Sequence, residues 1–339
     1  MAQPRIRRRY KHRGRMKQIP IYLGKFFRMF IYMDDWKVLP MAAIIAGLVA
    51  FVAGKNMFVS MEGCMMGSLA MTCICIWNGF FNSIQVVCRE RDIIKREHRS
   101  GMHISSYICA HVIYQGFLCL LQTVITVFVC SKVGMVFPKE GFFTPYFMID
   151  FSITIFLITF ASDMLSLMIS CIAKTTTAAM TIMPFMLIFE LLFSGTVFKL
   201  EGNINKLNDL SVAKWGIQCI CAQSKYNDLP MVTLWNQIFR YKDMTITDII
   251  PLAKLNTGVR EKLILNELKD TQPLNEMIKH MSTDDIYNFN MKISSLNANP
   301  DYVLSANIVG NCWLALILTA FLAICIAIIA LEFIDRDKR

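Results

Sequence analysis

The sequence predicts an all-α membrane protein with six transmembrane helices. An amphipathic helix precedes the first span, a charged cytoplasmic helix joins the second and third, and a helical extracytoplasmic lobe separates the fifth and sixth. Three observations carry this reading. The 339-residue chain is 55% hydrophobic and only 18% charged, with a mean hydropathy of +0.45, and a soluble domain would have to expose much of that apolar surface. Its apolar residues gather in runs that match a hydrocarbon core of about 30 Å. Its Lys and Arg fall mostly in segments that those runs place on one side of a bilayer.

Residues 1–37 hold eleven Lys/Arg against two acids, Asp34 and Asp35. A basic arm of this kind can bind nucleic acid, but no nucleic-acid module follows it. An apolar run does, so the arm reads as a cytoplasmic flank with the lipid bilayer, not nucleic acid, as its partner. Apolar sequence starts only near Val38, too late for a cleavable signal peptide. Within the flank, Leu23, Phe26, Phe27, Phe30 and Ile31 recur at helical spacing, with Lys25, Arg28 and Tyr32 on the other face. That pattern predicts a surface helix at 19–36, with Asp34 and Asp35 marking the turn into the membrane.

The spans are read at 38–54, 64–87, 104–131, 146–172, 177–198 and 304–334. With the N-terminus inside, the inner segments 1–37, 88–103, 173–176 and 335–339 hold twenty Lys/Arg, whereas the outer loops 55–63 and 132–145 hold three. This asymmetry predicts a multi-pass protein of the cell membrane with both termini cytoplasmic. The chain then divides into a basic arm and surface helix (1–37), five spans (38–198), an outer lobe (199–303), and the last span with a cytoplasmic tail (304–339). Long translocated segments escape the charge rule, so the lobe's own Lys and Arg are no objection. A helical pattern is visible inside it at Val259, Leu263, Leu265 and Leu268.

The twelve cysteines sit mostly in apolar runs, among them Cys73, Cys75, Cys109, Cys119, Cys130, Cys171 and Cys325. No C-x-x-C pair and no His pair at ligand spacing occurs, so neither a metal site nor a disulfide framework is predicted. Cys219 and Cys221 are expected outside the membrane.

Between the second and third spans, Arg89, Glu90, Arg91, Asp92, Lys95, Arg96, Glu97 and Arg99 crowd into eleven residues. Glu90, Arg91, Ile94, Arg96 and Glu97 set alternating charge around an apolar residue. Such a helix, at 89–100, could dock on a soluble protein through ion pairs, or it could be a solvated hairpin.

Polar residues within the spans form stripes. Asn78, Asn82 and Gln85 recur along one face of the second, and Gln115, Gln122 and Thr126 along the third. They either line a path or bond helix to helix. Three acids are also embedded: Asp150 near the outer end of the fourth span, Asp163 deeper among Thr159, Ser166 and Ser170, and Glu190 beyond Pro184 in the fifth.

The segment Glu90–Tyr107, ERDIIKREHRSGMHISSY, resembles the E-R-x-x-F-x-R-E-x-x-x-G-x-Y-x-x-S-A-Y stretch of type-2 ABC exporter permeases, the ABCG-like branch above all. MPFMLIFELLFSG (Met183–Gly195) is similar to that family's fifth-helix pattern, and LSVAKWGIQCI (Leu210–Ile220) resembles the re-entrant segment that follows it. Val212 and Gln218 stand where the family carries Pro and Glu, and the stretch 230–303 matches nothing in it.

The resemblance implies an exporter permease whose surface helix is a connecting helix and whose charged helix is a coupling helix. Glu90, Arg91, Ile94, Arg96 and Glu97 would then seat on a nucleotide-binding ATPase subunit. That partner would hold ATP and Mg, since this chain carries no cofactor site and no G-x-x-x-x-G-K-[ST] sequence, and is not itself an enzyme. A second permease chain, identical or paralogous, would complete the pathway. By the same resemblance Trp77, Asn78, Phe81 and Asn82 would form one wall, facing Met186 and Glu190, with Phe193 near an outer gate. An apolar or amphipathic cargo suits such walls. Two rival readings are a proton-coupled secondary transporter using Asp163 and Glu190, and a non-transporting membrane anchor.

Overall fold

The structure, a computed structural model, describes residues 14–32, 35–54, 56–195, 205–229 and 300–333. Among these, every regular element is helical, and the only extended pairing is an antiparallel bridge from Glu140 to Tyr146. The helices are α1 (Arg15–Tyr32), α2 (Val38–Ala53), α3 (Met61–Ser83), α4 (Val86–Arg99), α5 (Ile104–Val133), α6 (Phe147–Ile172), α7 (Thr176–Leu192), α8 (Asn205–Asn208), α9 (Val212–Gln223) and α10 (Ala306–Glu332). Two compact units are present, Met1–Ser224 with Leu304–Arg339, and Lys225–Val303. In the second, the described residues form two 3₁₀ turns whose Tyr226 and Tyr302 rings meet edge-on at 5.2 Å. The lobe's helical pattern from Val259 to Leu268 lies outside the described residues.

Several helices start where a hydroxyl can satisfy their free N–H groups. Ser60 accepts from the Gly63 N–H at 3.1 Å and opens α3. Thr175 accepts from Ala178 at 3.2 Å to open α7, and Ser305 from Asn307 at 3.3 Å to open α10.

Among the described residues, five stretches are long and apolar enough to cross a membrane: Asp35–Ala53, Met61–Arg99, Ile104–Val133, Phe147–Ile172 and Ala306–Glu332. The expected fifth span, α7, is apolar but has only 17 residues, about 26 Å at the α-helical rise. It ends at Leu192 and not near residue 198, because the chain turns at once. The Ser194 hydroxyl donates to the Leu191 carbonyl at 2.8 Å, and Gly195 takes a left-handed φ of +73° that a side chain would resist.

α6 forms the centre of the first unit, packing on α3, α5, α9 and α10. Its crossing with α3 leaves no room for a side chain at Gly79. A Cβ placed on Gly79 would lie 2.5 Å from the Thr159 carbonyl oxygen and 2.7 Å from the Asp163 nitrogen, so only glycine permits this crossing.

α1 does not simply lie on a surface. Phe26 stacks on His111 with centroids 3.8 Å apart, and Phe27 meets Tyr114 and Phe117 at 5.7 and 5.5 Å, so its apolar face is spent on α5. Ile31, assigned to that face from the sequence, is 65% exposed.

α9 packs into the bundle. Its residues Val212, Ala213, Ile217 and Ile220 are buried against α3, α6 and α10, and Cys219 and Cys221 are buried with them.

Candidate functional site

The charged segment folds as α4, which begins at Val86, three residues before the first charge and after a two-residue break at Ile84–Gln85. Its own sequence offers no cap. The Ser170 hydroxyl of α6 supplies one, accepting from the Val87 and Cys88 N–H groups at 3.1 and 3.3 Å.

From there α4 is held on its inward side by the residues the sequence singled out for docking. Ile94 is fully buried. Glu90 is 7% exposed, pairs with Lys25 of α1 at 2.9 Å and accepts from the Tyr107 hydroxyl at 3.4 Å. Arg91 donates to the Cys171 and Ala173 carbonyls at 3.0 and 2.9 Å, where free carbonyls and the helix dipole at the end of α6 favour a cation. Lys25, placed on a solvent face by the sequence pattern, faces Glu90. Breaking such a pair would strand a nearly buried carboxylate, a loss of about 3–5 kcal/mol for a fully buried case.

Glu97 is half-buried and faces Tyr22 of α1; burial and that carboxylate push the Tyr22 phenol up to about 12. Gln18 fixes the exit of α4, donating to the Gly101 carbonyl at 3.2 Å and accepting from the His103 N–H at 2.9 Å. The outward face of α4 presents Asp92, Ile93, Arg96 and Arg99, all exposed. Of the five predicted docking residues, only Arg96 stands fully on that side.

The centre of the two polar stripes is spent on helix–helix bonds. Asn82 and Gln122 exchange two amide bonds, each 2.9 Å, tying α3 to α5. Asp163, fully buried, accepts from the Ser83 hydroxyl and from the Cys119 thiol at 3.2 Å, and Ser166 donates to the Phe80 carbonyl at 2.8 Å. Asp150 gathers the loop before α6, accepting from the Phe142, Phe143 and Thr144 N–H groups at 2.7, 2.9 and 3.2 Å.

Glu190 differs from its expected place on a cavity wall. It is 2% exposed and accepts from the Ser211 hydroxyl at 2.7 Å and the Ala213 N–H at 3.0 Å. It therefore seats the N-terminus of α9, where a helix favours negative charge.

The remaining predicted pathway residues divide by exposure. Trp77 and Phe81 are 46% and 50% exposed and lie side by side at 6.0 Å. Asn78 and Asn82 turn inward and are buried. On α7, Met186 is half-buried against the core, and Phe193 stacks on Phe189 at 4.6 Å.

Sequence reasoning passed over Ser211 and Gln18, read Lys25 only as part of a polar face and Ser170 only as a neighbour of Asp163, and gave His111 no role. His111 is 1% exposed, and neither ring nitrogen has a hydrogen-bond partner; nor does Oε1 of Gln115, one turn on. No group of His, Cys, Asp and Glu suited to a metal ion occurs among the described residues.

These features define a class: a multi-pass helical membrane protein whose helices are tied by polar pairs such as Asn82–Gln122 and Asp163–Ser83 and whose charged helix α4 is anchored at one end of the bundle. Residues 25–221 match the family ABC-2 type transporter, and the chain belongs to it. It is therefore the membrane permease component of an ABC transporter, which works with a nucleotide-binding ATPase partner. The matched region runs from α1 into α9 and includes α4, the Asn82–Gln122 pair and Glu190. Comparison with curated proteins finds no match.

Proposed function

We propose that this chain is the permease of an ATP-driven exporter of the ABCG-like branch, and that α4 is the helix through which the ATPase moves it. The observation that carries this is the two-sidedness of α4. Glu90, Arg91 and Ile94 bind it to α1, α5 and α6, while Asp92, Ile93, Arg96 and Arg99 are turned to solvent. A push received on the outer side is thereby passed to three helices. In this reading ATP and Mg are bound by the partner, α4 and both termini are cytoplasmic, and two permease chains pair so that Trp77 and Phe81 of each line a path for an apolar or amphipathic cargo. Asp163 and Glu190 are both engaged in fixed inter-helix bonds, which favours a structural role for them over proton carriage.

The test separates the two sides of α4. Reversing Asp92 and Arg96 together (D92K/R96E) should lower co-purification of the ATPase and transport-linked ATP hydrolysis by at least about tenfold, with thermal stability unchanged. Arg91→Glu should instead destabilise the permease itself. A double variant that recruits and couples the ATPase normally would remove α4 as the coupling element.

A further inference from the structure

A cavity of about 360 Å³ lies at the α4 end of the bundle, between α1, the start of α2, the α3–α4 junction, α5 and α7. Its polar groups grade from outside to inside. Arg89 and Gln85 are exposed and Asp35 half-buried, whereas His111 and Gln115 are each 1% exposed. Between them the wall is apolar, built from Phe26, Met29, Leu118 and Met180.

Two independent features ask for a ligand. The first is the pair of orphaned groups on α5. The buried carboxylates Asp150, Asp163 and Glu190 are all partnered, yet His111 has two unpartnered ring nitrogens and Gln115 an unpartnered carbonyl oxygen. Both side chains face the same cavity, and groups of this kind are retained where something else completes them. The second is charge. Asp35 and Arg89 approach the cavity from different elements with opposite sign and attract one another, yet among the described residues they do not close into an ion pair.

We infer that this cavity binds a zwitterionic glycerophospholipid of the ethanolamine type from the leaflet at the α4 end of the bundle. The phosphate lies by Arg89, the ammonium by Asp35, and the ester region by His111 and Gln115. A neutral imidazole offers one donor and one acceptor, which suits ester and hydroxyl oxygens better than a second charge. The volume is small for a ligand site and holds a headgroup and glycerol, not two long acyl chains. The acyl chains leave past Met180 of α7, which lines the cavity and is 37% exposed. The site belongs to the permease whatever its cargo.

The experiment is a thermal-stability titration of the full chain, delipidated in detergent. The probes are dioctanoyl phosphatidylethanolamine, dioctanoyl phosphatidylglycerol and free phosphoethanolamine. The ethanolamine lipid should raise the melting temperature by saturable binding. The glycerol lipid, lacking the ammonium, should bind about fivefold or more weakly, and the free headgroup should do nothing. Asp35→Asn should abolish the preference between the two lipids, and Arg89→Gln should weaken both; these sites are solvent-accessible, so neither change threatens folding. His111→Leu removes both ring nitrogens and should lose the ethanolamine-lipid shift, measured against that variant's own unliganded melting temperature. Equal shifts from both lipids in the unaltered chain would overturn the inference in favour of unspecific lipid contact. A shift from free phosphoethanolamine alone would overturn it in favour of a soluble zwitterion.

Discussion

Two neighbouring helices, α6 and α7, are both apolar and stand only three residues apart, yet they are used in opposite ways. Of the 26 residues in α6, sixteen are buried; of the 17 in α7, only Ala179, Met183 and Glu190 are. Hydrophobicity does not separate them. In a bilayer an apolar side chain gains little by leaving lipid for another helix, so association rests on close packing and on polar pairs. α6 carries the small and polar residues this requires, and they bond outward: Asp163 to Ser83 and Cys119, Ser166 to Phe80, Ser170 to Val87 and Cys88. α7 instead turns Phe185, Ile188 and Leu192 outward, at 69%, 53% and 39% exposure. Its one embedded carboxylate is committed to α9.

The sharpest way to break this comparison is at Gly79. With no room between α3 and α6 for a side chain, Gly79→Val should cost at least about 3 kcal/mol and abolish a folded chain in detergent, since overpacking forces backbone to move. Phe185→Ala on α7 should shift the melting temperature of a single chain by under about 0.5 kcal/mol equivalent. A large loss from Phe185→Ala would show that α7 is as deeply engaged as α6.

Glu190 tests the polar tie that joins α7 to α9. Glu190→Leu removes the acceptor for Ser211 and Ala213, and should cost about 2 kcal/mol through the lost cap of α9. Glu190→Gln keeps an acceptor oxygen and should cost less than about 1 kcal/mol while transport continues. Abolished transport in Glu190→Gln, with stability and ATPase assembly normal, would restore the proton-carrier reading that the geometry disfavours.

Why some of this could be read from the sequence and some could not follows from how far each interaction reaches. The spans were legible because a bilayer demands long apolar runs, although the local caps Ser60, Thr175 and Ser305 that open α3, α7 and α10 went unread. The start of α4 was not legible, since its cap is Ser170, more than eighty residues on. Nor was the role of Glu190, whose partner Ser211 belongs to a helix read as part of an outer lobe. The inward face of α4 did leave a signal. Val87, Arg91 and Ile94 recur at helical spacing, so an arginine on an apolar stripe was visible as an anchor, although the density of charge around it suggested a docking surface.

The smallest expected effect is at the Asn82–Gln122 pair. The stripes on the second and third spans read equally well as pathway or as inter-helix bonds, and the structure joins them to each other. Inter-helix hydrogen bonds in membranes average only about 0.6 kcal/mol, because each partner finds other groups when the helices separate. Asn82→Leu alone leaves the Gln122 amide without its two bonds and should cost more, about 1–2 kcal/mol. Asn82→Leu with Gln122→Leu removes the need along with the bond, and should return to within about 0.5 kcal/mol of the unaltered chain. Thermal unfolding of both single variants and the double variant closes the cycle. Strict additivity would mean that the two amides do not stabilise one another, and the pathway reading of this stripe would regain its place.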